Sequence, residues 1–248
     1  MDILIVGYGF VGRAHEALLR DHYNVHLYDQ ALGYNDCWKS PNGIIICVST
    51  PAAADGSCDM SNVVDTINYI DENTPILIKS TISLEGWHTL KDTFPNHDIS
   101  FSPEFLRAAT AEQDFRNTSE LYIGGNHVFW HNIFGEVFTG LKTKIADVET
   151  LILGKYFRNS FLATKVAFFN QIYDLCQATG VDYEAVADIV GSDSRIGTSH
   201  TTVTEDRGFG GHCFPKDVKA IIETANKFNT ELTILEEASR YNTNIRKE

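Results

Sequence analysis

The residues best suited to chemistry lie in the run Gly208-Phe209-Gly210-Gly211-His212-Cys213-Phe214-Pro215-Lys216-Asp217. A glycine-rich stretch delivers Cys213 just before a proline of the kind that opens helices. A thiol close to a helix N-terminus and a lysine gives up its proton more readily and becomes a nucleophile. Cys47 and Cys176 have apolar neighbours and suit small buried hydrophobes instead. The second chemical signal is Gly7-Tyr8-Gly9-Phe10-Val11-Gly12, a GxGxxG loop after an apolar strand and before a helical pattern. Gly7 permits the tight turn, Gly9 lets backbone approach a pyrophosphate, and Gly12 lets helix pack on strand. The opening turn around Phe10 and Val11 then offers free N–H groups and a positive dipole end to phosphates. Asp29 ends the next strand, where a carboxylate accepts from a ribose 2′-hydroxyl and repels a 2′-phosphate, which favours NAD over NADP. Lys155 and Asn159 are four apart on a helical pattern and so share a face, which continues into Leu162 and Val166. An ammonium and an amide together can stabilise a developing alkoxide. Taken alone, that pair also fits two solvated side chains on an exposed helix, and Glu104 or Asp217 is more often a helix-capping or surface acid.

These groups need a scaffold. Apolar runs at Ile3–Val6, Val25–Tyr28, Ile44–Val48, Ile76–Lys79, Ile99–Ser102 and Leu121–Ile123 suit strands buried on both faces of a parallel sheet. Helical patterns at Val11–Arg20, Met60–Ile70 and Leu84–Thr93 alternate with them, which predicts a Rossmann-type, doubly wound α/β unit. A helix over Val128–Phe138 and a strand over Thr143–Ile145 follow. The strand signal then stops. Residues 148–179 read as one long helix ended by Gly180, and a helix over Tyr183–Val190 has Asp182 as its N-cap. Residues 191–212 read as a loop, and helices over Asp217–Phe228 and Leu232–Tyr241 close the chain. The expected division is a dinucleotide-binding domain over 1–147 and a helical domain over 148–248.

Composition narrows the class. The 248 residues carry 33 acidic against 20 basic side chains, a net charge of −13 that disfavours nonspecific contact with nucleic acid or anionic membrane. No run is apolar enough to span a membrane, and the N-terminus lacks the pattern of a signal peptide. Five scattered cysteines without a CxxC pair argue for reduced thiols in a cytoplasm and against a structural metal site.

The segment GFGGHCFPKD is similar to the signature of the UDP-glucose/GDP-mannose dehydrogenases. Four further segments agree in order: GYGFVG with Asp29, Val48-Ser49-Thr50-Pro51, Lys79-Ser80-Thr81, and Ser102-Pro103-Glu104-Phe105-Leu106-Arg107. The long helix adds Lys155-Tyr156-Phe157-Arg158-Asn159-Ser160-Phe161-Leu162-Ala163, so the resemblance runs through essentially the whole chain. It implies an NAD-dependent, four-electron oxidation of a sugar C6 alcohol to a carboxylate, with UDP-glucose to UDP-glucuronate as the leading case. By the resemblance, Cys213 attacks the intermediate aldehyde, a second hydride transfer converts the thiohemiacetal to a thioester, and water hydrolyses it. Lys155 and Asn159 would stabilise oxyanions, Glu104 would act as acid/base, and Asp217 and Thr81 would position water. Gly7, Gly9, Phe10, Val11, Gly12, Asp29, Ser49, Thr50, Ser80 and Lys216 would hold the cofactor. Phe105, Leu106, Arg107, Phe209 and Gly210 would grip the substrate, and Arg195 would reach it across a homodimer built on the long helix.

Two departures from the pattern stand out. Ala108 occupies the place where many relatives have a second glutamate. The chain also carries no counterpart of the family's third, base-binding domain, so a partner chain would have to supply it. Two other readings stay open at this point: a two-electron hydroxyacid-type dehydrogenase, in which Cys213 has no task, and a truncated, non-catalytic NAD-binding relative.

Overall fold

A computed structural model of the chain describes residues 1–36, 40–211 and 213–247. Cys37 and His212 lie outside the described residues. The chain forms two compact units, Met1–Ala53 with Cys58–Lys155, and Ala54–Ser57 with Tyr156–Glu248.

The first unit is built on a six-stranded sheet of order β3-β2-β1-β4-β5-β6. Its strands are β1 (Asp2–Val6), β2 (Asn24–Asp29), β3 (Tyr34–Asn35), β4 (Gly43–Ile46), β5 (Ile76–Ile78) and β6 (Ile99–Phe101). All pairings are parallel except that of the two-residue edge strand β3, which runs antiparallel to β2. Ile3, Ile5, Ile45, Ile46, Leu77 and Ile78 are fully buried, as expected of strands covered on both faces. Each contributes roughly 1.5–3 kcal/mol of burial. The order of strands reverses between β1 and β4, and in such sheets ligands bind beyond the strand C-termini at that reversal. The loops that follow β1 and β4 begin at Gly7 and Cys47, which places the GxGxxG turn there.

Helices α1 (Phe10–Leu19), α2 (Ser61–Ile67), α3 (Leu84–Thr93), α4 (Ala111–Arg116) and α5 (His127–Val137) complete this unit. Leu18 and Leu19 of α1, Phe115 of α4, and Trp130 and Phe134 of α5 close one core with Ile3, Ile5 and Ile45. Strands β7 (Glu120–Ile123) and β8 (Lys142–Ile145) form a separate parallel pair. They meet the main sheet through the two hydrogen bonds exchanged by Phe101 and Gly124.

The second unit is helical. Helix α6 covers Val148–Thr179, 32 residues and about 48 Å of helix, and the division between units falls inside it, after Lys155. Gly180, at φ +72°, turns the chain out of it, and the Val181 N–H donates to the Cys176 carbonyl. Helix α7 (Tyr183–Gly191) follows, with the Asp182 carboxylate accepting from the Glu184 N–H. Phe169 and Cys176 of α6 pack on Tyr183 and Ala187 of α7. Helix α8 (Phe214–Lys227) starts three residues before the expected Asp217, because Pro215 sits inside its first turn rather than ahead of it. Helix α9 (Thr233–Ile245) runs four residues past the expected Tyr241.

Candidate functional site

The glycine loop in the first unit is shaped by close approach. Gly7 has φ +91°, and a Cβ there would lie 2.7 Å from the backbone of Cys47 and Val48. A Cβ on Gly12 would lie 2.1 Å from the Gly7 carbonyl oxygen, so α1 packs against the turn only without a side chain. Gly9 is different. It caps α1 with no side-chain cap and no acid in the first turn, and a Cβ on it would meet nothing within 4 Å. Open space in front of uncapped N–H groups fits an anionic dinucleotide. The Asp29 carboxylate accepts from the Tyr8 N–H at 2.7 Å and the Leu32 N–H at 3.1 Å, so it also ties the loop to the end of β2. That structural tie was not legible in the sequence.

Around this loop, the buried Ser80 hydroxyl donates to the Val48 carbonyl at 2.7 Å. Thr50 is buried, the exposed Ser49 accepts from the Asn62 amide, and the half-buried Thr81 accepts from the Cys58 thiol through its carbonyl. These contacts order the strand-end loops that a cofactor would touch.

The same unit holds a charge cluster. The Lys79 ammonium lies 3.1 Å from Glu104 Oε2, with side chains only 2% and 10% exposed. Glu104 Oε1 accepts from the Phe105 and Leu106 N–H groups at 2.7 and 3.0 Å. The Lys155 ammonium donates to the Glu104 carbonyl at 2.8 Å. Burial pushes the Glu104 carboxyl upward, but the charges of Lys79, His15 and Lys155 and the Lys79 hydrogen bond outweigh it, and the net direction is down. His15 is itself pushed down to about 4, first by burial and then by Lys79, and is neutral at pH 7. Lys79 and Lys155 are therefore the cations whose charges lower the Glu104 carboxyl at neutral pH. Phe105 and Leu106 are half-buried beside the cluster, while Arg107 is exposed and grips Asp114 through two bonds of 2.9 and 2.6 Å.

In the second unit, Asn159 donates to Asp217 Oδ2 at 2.7 Å, and Lys216 pairs with Asp217 Oδ1 at 2.9 Å. Asp217 is 1% exposed, so both partners are needed to satisfy a buried carboxylate. Cys213 is the N-cap residue of α8, and its carbonyl accepts the Asp217 N–H at 2.8 Å. The cysteine is exposed. The expected pyrophosphate lysine, Lys216, thus stands on Asp217, and the expected Asn159 and Asp217 come together one turn from the nucleophile candidate. Phe209 is buried, its backbone N–H and carbonyl both held by the Asn242 amide at 2.6 and 3.0 Å. At Gly210, a Cβ would meet the Arg246 guanidinium at 2.3 Å. Arg195 is exposed and paired with Asp193.

Sequence reasoning missed Lys79, Asp114 and Asn242. Lys79 had a signal: a lysine ending a strand of buried isoleucines and leucine needs a counter-ion. Asn242 had none, since its partner lies 33 residues away. No group of three or more His, Cys, Asp or Glu among the described residues is placed to hold a metal.

The comparisons with known proteins follow this division. The model of the UDP-glucose/GDP-mannose dehydrogenase family, NAD binding domain, matches residues 33–142, and that of the same family's central domain matches residues 149–244. The UDP-glucose 6-dehydrogenase of Rickettsia bellii (strain RML369-C) is 34% identical over 222 residues, 84% of this chain and 51% of the relative. That of Rhizobium meliloti (strain 1021) is 32% identical over 219 residues, 81% of this chain and 50% of the relative. The chain therefore spans about half the length of these relatives. A UDP-glucose dehydrogenase from Pyrobaculum islandicum superposes with a TM-score of 0.85 over 98% of this chain and 68% of that one, at 24% identity, which speaks to the fold. The glycine loop and Asp29 precede the matched range, so their assignment to the cofactor stands on the geometry above. With an NAD-binding domain and a central domain of one family matched in sequence on either side of the start of α6, the chain belongs to the UDP-glucose/GDP-mannose dehydrogenase family.

Proposed function

We propose that this chain carries the NAD-dependent chemistry of a nucleotide-sugar 6-dehydrogenase, oxidising UDP-glucose to UDP-glucuronate. The observation that carries the reading is the buried carboxylate of Asp217, held by Asn159 and Lys216, one helical turn from the exposed Cys213. A single alcohol-to-ketone oxidation needs no thiol, whereas a two-stage oxidation needs a means of keeping the aldehyde.

NAD, when bound, supplies the hydride acceptor for each of two oxidations. The chain's own groups do the rest. The N–H groups of Phe10, Val11 and Gly12 would hold the cofactor pyrophosphate, and Asp29 would accept from its ribose. Cys213 sulfur attacks the aldehyde carbon, and the carbonyl oxygen takes up the proton the thiol releases, giving a thiohemiacetal. After the second oxidation, water attacks the thioester carbon, the C–S bond breaks, and the thiol leaves with a proton. Lys155 and Asn159 stabilise the oxyanion at these stages, and Asp217 and Thr81 orient the water. Because Glu104 is held ionised, its part is that of a base towards that water. Arg107, Phe105, Leu106, Phe209 and Gly210 serve the substrate. Overall, one alcohol, one water and two NAD⁺ give one carboxylate, two NADH and three protons.

The same reading includes a homodimer. Phe161, Phe168 and Leu175 are seven residues apart on α6 and 56–70% exposed, with Phe157 one turn earlier at 46%. An exposed apolar stripe of heptad spacing on a long helix suits a second copy of itself, and it would bring Arg195 to the partner's substrate. No helix among the described residues is long and apolar enough to cross a membrane.

The test is NADH release by the purified chain against UDP- and GDP-sugars, with Cys213→Ser in parallel. Production with UDP-glucose that needs Cys213 supports the reading. Absence of any NADH, at high protein concentration and with every sugar, overturns it.

A further inference from the structure

Lys79 is the most deeply buried lysine among the described residues of the first unit, and the chemistry above gives it no contact with substrate or cofactor. Its side chain is 2% exposed. It follows β5, and its backbone N–H donates to the Ile46 carbonyl at 2.8 Å, so the strand fixes where it starts. The Nζ donates to the Ser102 hydroxyl at 3.0 Å and the Pro103 carbonyl at 3.4 Å, and pairs with Glu104 Oε2 at 3.1 Å. All three acceptors come from one stretch, the residues that follow β6. A buried ammonium needs a counter-ion, and Glu104 is the acid the structure gives it.

Consider Glu104 from the other side. A carboxylate offers about four lone-pair sites. Two N–H groups occupy Oε1 and Lys79 stands at Oε2, which is buried with no hydrogen bond beyond that ion pair. The groups facing this carboxylate are Lys79 after β5, His15 on α1 and Lys155 on α6. Cys47, after β4, is close enough to feel the same two charges, and burial keeps it a neutral thiol. Lys155 donates to the Glu104 carbonyl, and its charge also acts on the carboxylate. His15 is neutral at pH 7 because burial pushes it down to about 4. Lys79 is the cation that meets the carboxylate directly, at 3.1 Å.

We propose that Lys79 is a positioning residue that fixes the Glu104 carboxylate and holds it as an anion, so that Glu104 works as a base. The role of Glu104 rests on the proposed function, whereas the ion pair itself does not. Two consequences follow. Without Lys79, burial is the largest influence left, and Glu104 should take up a proton at a higher pH. Without the Glu104 charge, Lys79 is a buried cation left with the Ser102 hydroxyl and the Pro103 carbonyl as its neutral partners.

The test is carbon-13 NMR of the Glu104 carboxyl in the ligand-free chain, assigned by its loss in Glu104→Gln. In the unchanged chain, Glu104 should stay ionised down to a pH below the ordinary glutamate range. In Lys79→Met, its midpoint should rise by one pH unit or more, a tenfold or greater gain in proton affinity. If Lys79→Met does not fold, Lys79→Gln is titrated in its place, and the Glu104 midpoint should rise there likewise. A midpoint that does not move in the variant measured overturns the proposal. Where the chain turns over UDP-glucose, the acid limb of its pH profile should move upward in Lys79→Met by the same interval, which a loss of fold alone would not produce. No substrate enters the NMR titration. Failure there with intact turnover rejects the role of Lys79, and success there without turnover rejects the proposed function.

Discussion

The two units solve the problem of carrying reactive groups in opposite ways. In the first, charge is buried and held from several sides: Lys79, Glu104 and Lys155 are tied to strand-end loops, and the glycine turn is shaped by contacts no side chain would tolerate. In the second, the proposed nucleophile is presented. Cys213 is exposed at the first turn of α8, and the glycine segment before it is held at Gly208 by the Asn170 amide and at buried Phe209 by the Asn242 amide. A cofactor cradle gains from being formed in advance, because ordering it on binding would subtract from affinity. A nucleophile that must bond to a substrate and release it gains from access. The first unit should thus respond to substitutions through its own stability and NAD affinity, and the second through turnover.

The largest expected stability effect lies in the first unit and concerns His15. Its folded form takes a proton only near pH 4, against 6.5 for the ordinary side chain. The unfolded chain therefore binds a proton that the folded chain refuses as pH falls from 6.5 towards 4, and stability drops over that window. The loss should be on the order of 3 kcal/mol, and His15→Phe should remove most of this slope in urea titrations. A His15→Phe variant with the same slope would place the pH sensitivity elsewhere.

Asp217→Asn belongs to the second unit. It keeps the shape but removes the charge that Lys216 and Asn159 share. NADH production should fall about a hundredfold, with NAD affinity unchanged in calorimetry. A parallel loss of NAD binding would break the contrast between the units.

How much of this was legible in the sequence differs by element. The ends of α6 and α3 coincide with their expected bounds, since each rests on a local signal: Gly180 at φ +72° for one, and Ser83 capping the Gly86 N–H for the other. β3 was invisible, because two exposed residues carry no periodicity, and β7 read as one more strand although it pairs with β8 alone. The single turn-and-a-half of α4 had no signal of its own. In the candidate site, residue types were legible and partners were not. Asn159 meets Asp217 across 58 residues and Lys79 meets Glu104 across 25, separations no local pattern encodes.

A smaller effect is expected from Asn242→Ala. It removes both hydrogen bonds to buried Phe209, and stability should fall by about 1–3 kcal/mol. NAD affinity should be unchanged, whereas alkylation of Cys213 by iodoacetamide should change rate as the segment before it loosens. Unaltered alkylation would mean that the glycine segment holds its shape without the clasp.

Smallest of all is the effect of Asp29→Ala on cofactor choice. Loss of the carboxylate removes an acceptor for the ribose and a repulsion of the 2′-phosphate. NAD affinity should drop about tenfold and the preference over NADP should narrow. Equal binding of both cofactors by the unchanged chain would refute the assignment of Asp29.

The central claim is that Cys213 carries a sugar aldehyde between two oxidations. The most direct measurement mixes the chain, in excess, with UDP-glucose and NAD, and counts NADH per sugar consumed while mass spectrometry follows the Cys213 peptide. The account predicts two NADH per sugar, a transient sugar-nucleotide adduct on Cys213, and neither adduct nor second NADH in Cys213→Ser. One NADH per sugar, indifferent to the loss of the thiol, would contradict it.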